Sequence, residues 1–388
     1  METTDRTDQL IQLTRSSLNP SRALRLVWRF PGISRSEIAR QLNLDKSTVS
    51  DIISMLLRQE VIRERNSMVS TPYGGRPPIG LEINVNFGAV AGIDLQPDHY
   101  KLLLLGLDGQ TLRSMRIHTR VRPENIVDIL SEAVSKARDE LQRFSRPLLG
   151  VGAGITGIID SDSGAINHSI PLQIFNPIPV QDPVAEKTGT TITIDNDANC
   201  CAWGEIAFHP AGRQQDFIYV LVETGDPAAP DERASGIGIG LSFVLGGKVY
   251  RGADYTAGEF RSLFRKRNSN SQFSLKNEDT YRIPTDPTIR RTFLRELARH
   301  IALFSNTLNL NHVFLGGDID EFADELMLVL HQERKKNWAY KGVYDIPLSV
   351  STSAHGKDAV AIGAAGMMLE ELFDIPTLKE TEELSLKI

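Results

Sequence analysis

"GIDLQPDHYKLLLLGLDG", residues 92–109, decides how the body of this chain is read. One apolar run closes on Asp94, a short polar turn follows, and a second apolar run climbs to Leu107. That pattern is strand, tight turn, strand. The turn is Gln96-Pro97-Asp98-His99 rather than a row of glycines. In a phosphate-holding hairpin, backbone N–H groups of a glycine-rich turn face the phosphates. Here proline removes a donor, and Asp98 adds negative charge where phosphate oxygens would lie. Whether the hairpin holds a phosphate or has lost that task is the question this turn raises.

Around this hairpin the chain repeats itself loosely. "AVAGIDLQPDHYKLLLLGLDG" and "FIYVLVETGDPAAPDERASGIGIGLSFVLGGKVYRG" both begin with paired strands. A helix follows each, from Asn125 and from Ile289, and then a buried strand, "LLGVGAGITGIID" or "HVFLGGDID". Strands alternating with helices imply α/β lobes. Two such lobes leave a cleft beyond the carboxyl ends of their strands.

The bulk numbers agree with several domains. A chain of 388 residues exceeds one ordinary core, and 41% hydrophobic with 24% charged residues is a globular composition. No apolar run approaches the ~20 residues of a membrane span. The opening "METTDRTDQL" lacks a basic segment followed by an apolar one, so a cytoplasmic location and no membrane partner are expected. The two cysteines are adjacent, Cys200 and Cys201, which argues against a disulfide framework. Both suit buried helix positions. Charge is uneven: residues 1–80 hold twelve Lys/Arg against eight Asp/Glu, and the remainder 31 against 41. A mildly basic head precedes an acidic body, so a polyanion is admitted only at the N-terminal end.

That head carries three closely spaced amphipathic segments. The first places Ala23, Leu24, Val27 and Trp28 on one face. The second opens at Ser34 with Glu37 three residues on, the capping-box signature. The third opens at Asp45, a good cap residue, and presents Val49, Ile52, Ile53, Leu56 and Leu57 at helical spacing. "LNL" joins the last two, as in a helix-turn-helix, whose second helix enters the major groove by its N-terminal end. Arg35, Lys46, Ser47, Thr48 and Ser50 are therefore the expected DNA-binding residues of the two helices. Beyond them "VIRERNSMVSTPYGGRPPIGLEIN" reads as a β-hairpin wing, with Arg76 in "GGRPP" placed to reach a minor groove. A small helical cap with an ordinary polar face would share the helices, but not the order, turn length, wing and local charge together.

"GVGAGITGIIDSDSGAI", "IDNDANCCAWGE", "SGIGIGLSFVLGGKVYRGADYTAGEF", "VFLGGDI" and "AVAIGAAGMML" follow one another as they do in the ROK family. That family comprises bacterial sugar kinases and sugar-responsive repressors on an actin-like (ribonuclease H-like) fold. With its N-terminal helices and wing, the chain resembles the repressor branch, the xylose- and N-acetylglucosamine-type regulators. The resemblance implies a sugar between the lobes. It would touch Asp197, which matches the kinases' general base, its neighbour Asn196, Glu259 of "AGEF" and Gly157 of "GITG". An Asx-turn at the helix start would also explain the acid-rich turn, with Asn199 or Asp195 able to serve as its cap. A tight turn alone would also select glycine at position 157.

Departures from the family pattern carry as much information. The usual "GEIGH" is "GEFRS", so Ser262 stands at the histidine position, and residues 263–283 contain no Cys and no His. The family's zinc site needs both kinds of ligand, so neither metal nor cofactor is expected. "SGIGIG" keeps its glycines behind an acidic insertion, and such a run also suits a close-packed hairpin. The expected domains are a winged helix-turn-helix with wing and linker at 1–84 and two α/β lobes at 85–205 and 206–388. The C-terminal helix is expected to return to the first lobe. Double-stranded operator DNA and a sugar effector are the expected partners, with a homodimer implied by the family. The alternative is a sugar kinase with a DNA-binding domain attached.

Overall fold

The computed structural model describes Arg6 and residues 18–65, 79–208, 214–224, 236–266, 271–340, 342, 344 and 347–374. The wing tip at 66–78, and with it Arg76, lies outside the described residues, as does most of the acidic insertion after Glu223.

The N-terminal domain runs α1 (Leu18–Arg29), β1 (Ile33–Ser34), α2 (Arg35–Leu42), α3 (Lys46–Arg58), β2 (Ile62–Arg65) and β3 (Gly80–Ile83). Its three strands pair in the order β1-β3-β2, all antiparallel, which makes β2 and β3 the two sides of a wing. Ser34 and Glu37 form the capping box, each side chain accepting from the other residue's backbone N–H. Asn43 ends α2 in the left-handed region, turning the chain toward α3 within three residues. Asp45 sits at the start of α3 but makes no side-chain cap bond, and Leu57 is only partly buried. Val49, Ile52, Ile53 and Leu56 carry the packing of that helix.

The first lobe holds β4 (Ala89–Leu95), β5 (His99–Gly106), β6 (Thr111–His118), α4 (Ile126–Gln142) and β7 (Leu148–Ile155). It continues through β8 (Ile158–Asp160), β9 (Ala165–His168), β10 (Ile178–Pro179), α5 (Gln181–Thr188) and β11 (Ile192–Asn196). Its main sheet is ordered β11-β7-β4-β5-β6, with β4, β7 and β11 parallel and the β4–β5–β6 meander antiparallel. Helix α6 (Asp197–Phe208) crosses to the second lobe, which contains β12 (Phe217–Thr224), β13 (Ile237–Leu245) and β14 (Lys248–Tyr250). Then come α7 (Asn277–Thr280), α8 (Pro287–Leu308), β15 (His312–Gly317), α9 (Ala323–Lys336), β16 (Ser349–Thr352) and α10 (Ala359–Leu372). The order β14-β13-β12-β15-β16 again joins an antiparallel meander to parallel strands. Ile237 to Gly240 of the "GIGIG" run lie within β13, paired to β12. Helix α8 begins at Pro287, two residues before the apolar periodicity, because Asp286 accepts from the Thr288 and Ile289 N–H groups.

Helix α10 packs on β4, β5 and β7 and lies along α6. The two helices meet at backbone distance: a Cβ on Gly363 would fall 1.6 Å from the Cys200 carbonyl oxygen. Cys200 and Cys201 are fully buried there, packing as small apolar residues.

The N-terminal domain is not a bead on a tether. Its Leu24, Val27, Trp28, Ile38 and Ile53 share one apolar cluster with Leu105, Leu107, Leu369 and Phe373 of the body. Trp28 stacks on Phe373 at 4.8 Å between ring centroids and donates its indole N–H to the Leu107 carbonyl (3.2 Å). Arg25 pairs with Glu370 (3.0 Å) and Asp374 (2.9 Å), and Arg29 with Glu370. Trp28 is left only 9% exposed, and burial of a side chain of this kind is worth roughly 3 kcal/mol over all its contacts.

Candidate functional site

At the head, α3 presents Lys46, Ser47, Thr48 and Ser50 on one exposed face at its N-terminal end. Arg35 lies on α2, where its guanidinium pairs with Glu64 of β2 at 2.9 Å. It braces the helix pair to the wing.

In the cleft, β11 ends at Asn196 and α6 begins at Asp197, so the strand end delivers both residues together. The cap is Asn196 itself, not Asn199 or Asp195. Its Oδ1 accepts from the N–H groups of Ala198 (2.9 Å) and Asn199 (3.3 Å), while its amide donates to the Gly157 carbonyl (2.9 Å). Asn196 is thereby a fastener between the helix start and the Gly157 turn. Gly157 has φ +123°, and a Cβ there would lie 2.3 Å from the His168 carbonyl oxygen, so only glycine passes.

Asp195 is fully buried and holds the turn from below. It accepts from Asn199 Nδ2 (2.9 Å), Trp203 Nε1 (3.2 Å) and Arg251 Nη2 (2.7 Å). Asp197, at the first position of α6, is itself buried at 6% exposure, and its carboxyl accepts from the Ala198 N–H (2.7 Å). Burial pushes its carboxyl up to about 7, with the charges of Glu259 and Asp94 acting in the same direction. The Ala198 N–H and the Thr156 hydroxyl oppose the shift. Glu259 stands more exposed, and partial loss of water raises its carboxyl too.

Where a nucleotide would lie, the opening hairpin does something else. Gln96 Nε2 donates to Asp94 in the first lobe (2.9 Å) and to Glu223 in the second (3.2 Å). Both carboxyls are raised, burial being the largest cause in each. The turn is fastened behind, where Thr119 and Val121 donate their N–H groups to the carbonyls of Asp98 (3.0 Å) and Pro97 (2.9 Å). One glutamine thus clasps the lobes between two acids. With Asp197 and Glu259, these make four carboxyls of raised affinity for protons.

Ser262, at the family's histidine position, enters a polar knot. Its hydroxyl donates to Glu296 of α8, and His300 Nε2 lies 3.0 Å from its oxygen. Ser274 donates to the same carboxylate from its hydroxyl and from its N–H (2.9 Å). Gln272 completes the brace with bonds to Ile239 and to the Phe260 carbonyl. The segment after Glu259 is therefore held to α8 by side chains. Burial also lowers the affinity of His300 for a proton. Glu296→Ala, which removes the acceptor of both Ser262 and Ser274, is expected to cost about 2 kcal/mol, read as a shift in urea midpoint. An unchanged midpoint would show the knot to be idle.

Comparison with known proteins places this geometry. The ROK family model matches residues 90–261, and the MarR family model residues 17–67. Each model match covers less than half of the chain. The chain is 33% identical over 229 residues to a putative xylose repressor of Caldicellulosiruptor sp. (strain Rt8B.4), covering 58% of this chain and 53% of that protein. To the DNA-binding transcriptional dual regulator NagC of Escherichia coli (strain K12) it is 26% identical, over 62% of this chain and 56% of NagC. The chain thus spans about half the length of these curated relatives. Among solved structures, a ROK family transcriptional regulator, a homolog of the E. coli MLC protein, superposes with TM-score 0.74. The match covers 94% of this chain and 98% of that one at 17% identity. A ROK family glucokinase from Streptomyces griseus, in complex with glucose and AMPPNP, superposes with TM-score 0.54 at 17% identity, over 72% and 99% of the two chains. At such identities the likeness concerns fold. The chain is a winged-helix domain joined to a two-lobed α/β body whose fold is that of these ROK family structures. No helix among the described residues is long and apolar enough to cross a membrane.

Proposed function

We propose that the protein is a DNA-binding transcriptional repressor of carbohydrate-use genes whose affinity for its operator is set by a sugar in the interlobe cleft. The observation that carries this reading is the shared core: a helix-turn-helix locked to a sugar-kinase-like body has no use in catalysis and an evident one in signalling. The sugar is held by Asp197 and Glu259, with Gly157 giving backbone access and Asn196 fixing the turn. Lys46, Ser47, Thr48 and Ser50 read or position DNA, with Arg76 reaching from the wing. The protein acts in the cytoplasm as a homodimer, whose two recognition helices meet half-sites about one helical turn apart.

The reading includes no kinase activity. Gln96 and its two acids support this, since they fill the phosphate position with a clasp and negative charge. A sugar kinase with an added DNA-binding domain is the second reading, favoured by Asp197 and the glucokinase-like fold.

The test is to select bound genomic fragments with the full chain, then titrate the operator at several sugar concentrations. A sugar whose transport or breakdown genes flank the operator is expected to change affinity about 5–150-fold. Lys46→Ala is expected to weaken binding across sequences and lower the salt slope by about one. Absence of operator selection, or sugar-dependent ATP turnover with Mg²⁺, would overturn the reading.

A further inference from the structure

We propose a second ligand site, separate from the cleft, in the groove between the winged-helix domain and the body, and that its ligand is a small organic molecule carrying phosphate.

The groove has a volume of about 940 Å³, the size of a metabolite site rather than a packing flaw. One wall is the N-terminal domain, through α1 and the wing strands β2 and β3. The other is the turn after β5, with Leu107 and Asp108, and the end of α6 at Ile206 and Phe208. An occupant touches both bodies at once.

Its lining has two chemistries. Trp28, Leu107, Ile206 and Phe208 form an apolar part. Arg22, Arg25, Arg29, Arg63 and Arg65 supply five guanidiniums, against Glu82 and Asp108 among the lining acids. Arg25 and Arg29 lean on Glu370, and Arg25 on Asp374, so cations exceed all these anions five to four. Arg63 and Arg65 share the single carboxylate of Glu82, at 2.7 and 3.7 Å. Arg22 has no ion-pair partner among the described residues.

Arg29 is the most telling member. Its side chain is 11% exposed and its guanidinium lies over the Trp28 ring at 4.1 Å. It reaches the last carbonyls of α6, at Ile206 (3.4 Å) and Ala207 (3.5 Å), yet its Nε finds no acceptor. A buried guanidinium N–H without an acceptor is costly unless something else accepts from it. A fork of arginines beside an aromatic floor recognises phosphate bidentately while the rest of the ligand packs on the rings.

Duplex DNA is a poorer occupant. None of the described residues lining the groove comes from α3, the helix whose exposed end faces DNA. The DNA backbone also offers nothing to the apolar floor. A small phosphate ester satisfies both parts. By bridging the two bodies it sets the angle at which α3 is presented, giving the repressor a second input independent of the sugar.

The full-length protein is titrated with fructose 1,6-bisphosphate, with Mg²⁺-free ATP and with inorganic phosphate, by calorimetry and thermal shift. At least one of the organic phosphates is expected to bind more tightly than inorganic phosphate; which one identifies the source. Arg29→Ala and, because that variant disturbs the Glu370 pair, Arg22→Ala and Arg65→Ala are each expected to weaken binding about tenfold or more. Sugar affinity in the same variants is expected to stay unchanged, which separates this site from the cleft. Binding that persists in all three variants, or binding of inorganic phosphate alone, overturns the proposal. So does displacement of the ligand by random-sequence duplex, which would make the groove part of the DNA contact.

Discussion

Asp197→Asn is expected to make the protein more stable at pH 8 while removing its response to sugar. The Asp197 carboxyl is pushed up to about 7 in the folded chain, chiefly by burial, from an ordinary value of 3.8. Below about pH 4 both folded and unfolded chains hold this proton, and the group is neutral toward stability. Between there and pH 7 the unfolded chain releases it while the folded chain still binds it. Stability therefore falls as pH rises, by about 1.4 kcal/mol per unit and about 4 kcal/mol in all above pH 7. An asparagine carries no such penalty. The measurement is the urea midpoint of both proteins at pH 5 and pH 8: the variant's advantage should be small at the first and largest at the second. Equal differences at both would remove the buried charge from the account. The functional loss runs the other way. Exchanging a carboxylate that accepts from sugar hydroxyls for an amide forfeits about 2–3 kcal/mol, roughly 30–150-fold in Kd. A site that is a burden to the empty protein and necessary with its ligand is what a functional residue looks like energetically.

Much of this was legible along the chain, and the parts that were not share a cause. The three helices of the head follow from periodicity and caps, which are local: Ser34 and Glu37 are three residues apart and complete their box. The hairpin at residue 92 also follows, since alternation and a Pro-Asp turn lie within one short segment. What escaped were pairings across distance. Gln96 looks like an ordinary turn residue until β12 brings Glu223, 127 positions away, within reach of its amide. Glu296 reads as a polar residue on an amphipathic helix, and Ser262 as a lost metal ligand; only the packing of α8 against the segment after Glu259 joins them. At this turn the sequence pointed to Asn199 or Asp195 as the cap. The choice fell on Asn196 because Asp195 is claimed by Arg251, a residue on another lobe. Arg25 and Glu370 are 345 residues apart, and no local pattern announces that a helix of the head and the end of the chain form one joint.

That joint yields the other large expectation. Gly363→Ala should lower stability by about 3 kcal/mol or more and should loosen the link between cleft and DNA. The added methyl would sit 1.6 Å from the Cys200 carbonyl oxygen, so α10 must move away from α6. Both helices lead to the head. α6 starts at Asp197, the residue proposed to hold the sugar, and ends where Arg29 reaches the Ile206 and Ala207 carbonyls. α10 carries Glu370, which holds Arg25 and Arg29, and Phe373, which stacks on Trp28, follows its last turn. A shift at the start of α6 is thus carried by two packed rods to the base of α1, and a small displacement suffices because neither rod has slack against the other. In the variant, sugar should still bind, since no cleft residue is touched, but operator affinity should change less between free and sugar-bound protein. Calorimetry with sugar and operator titrations with and without it separate the two effects. Intact coupling in a destabilised Gly363→Ala protein would mean that the signal passes by another route, through the β4–β5 sheet and Leu107.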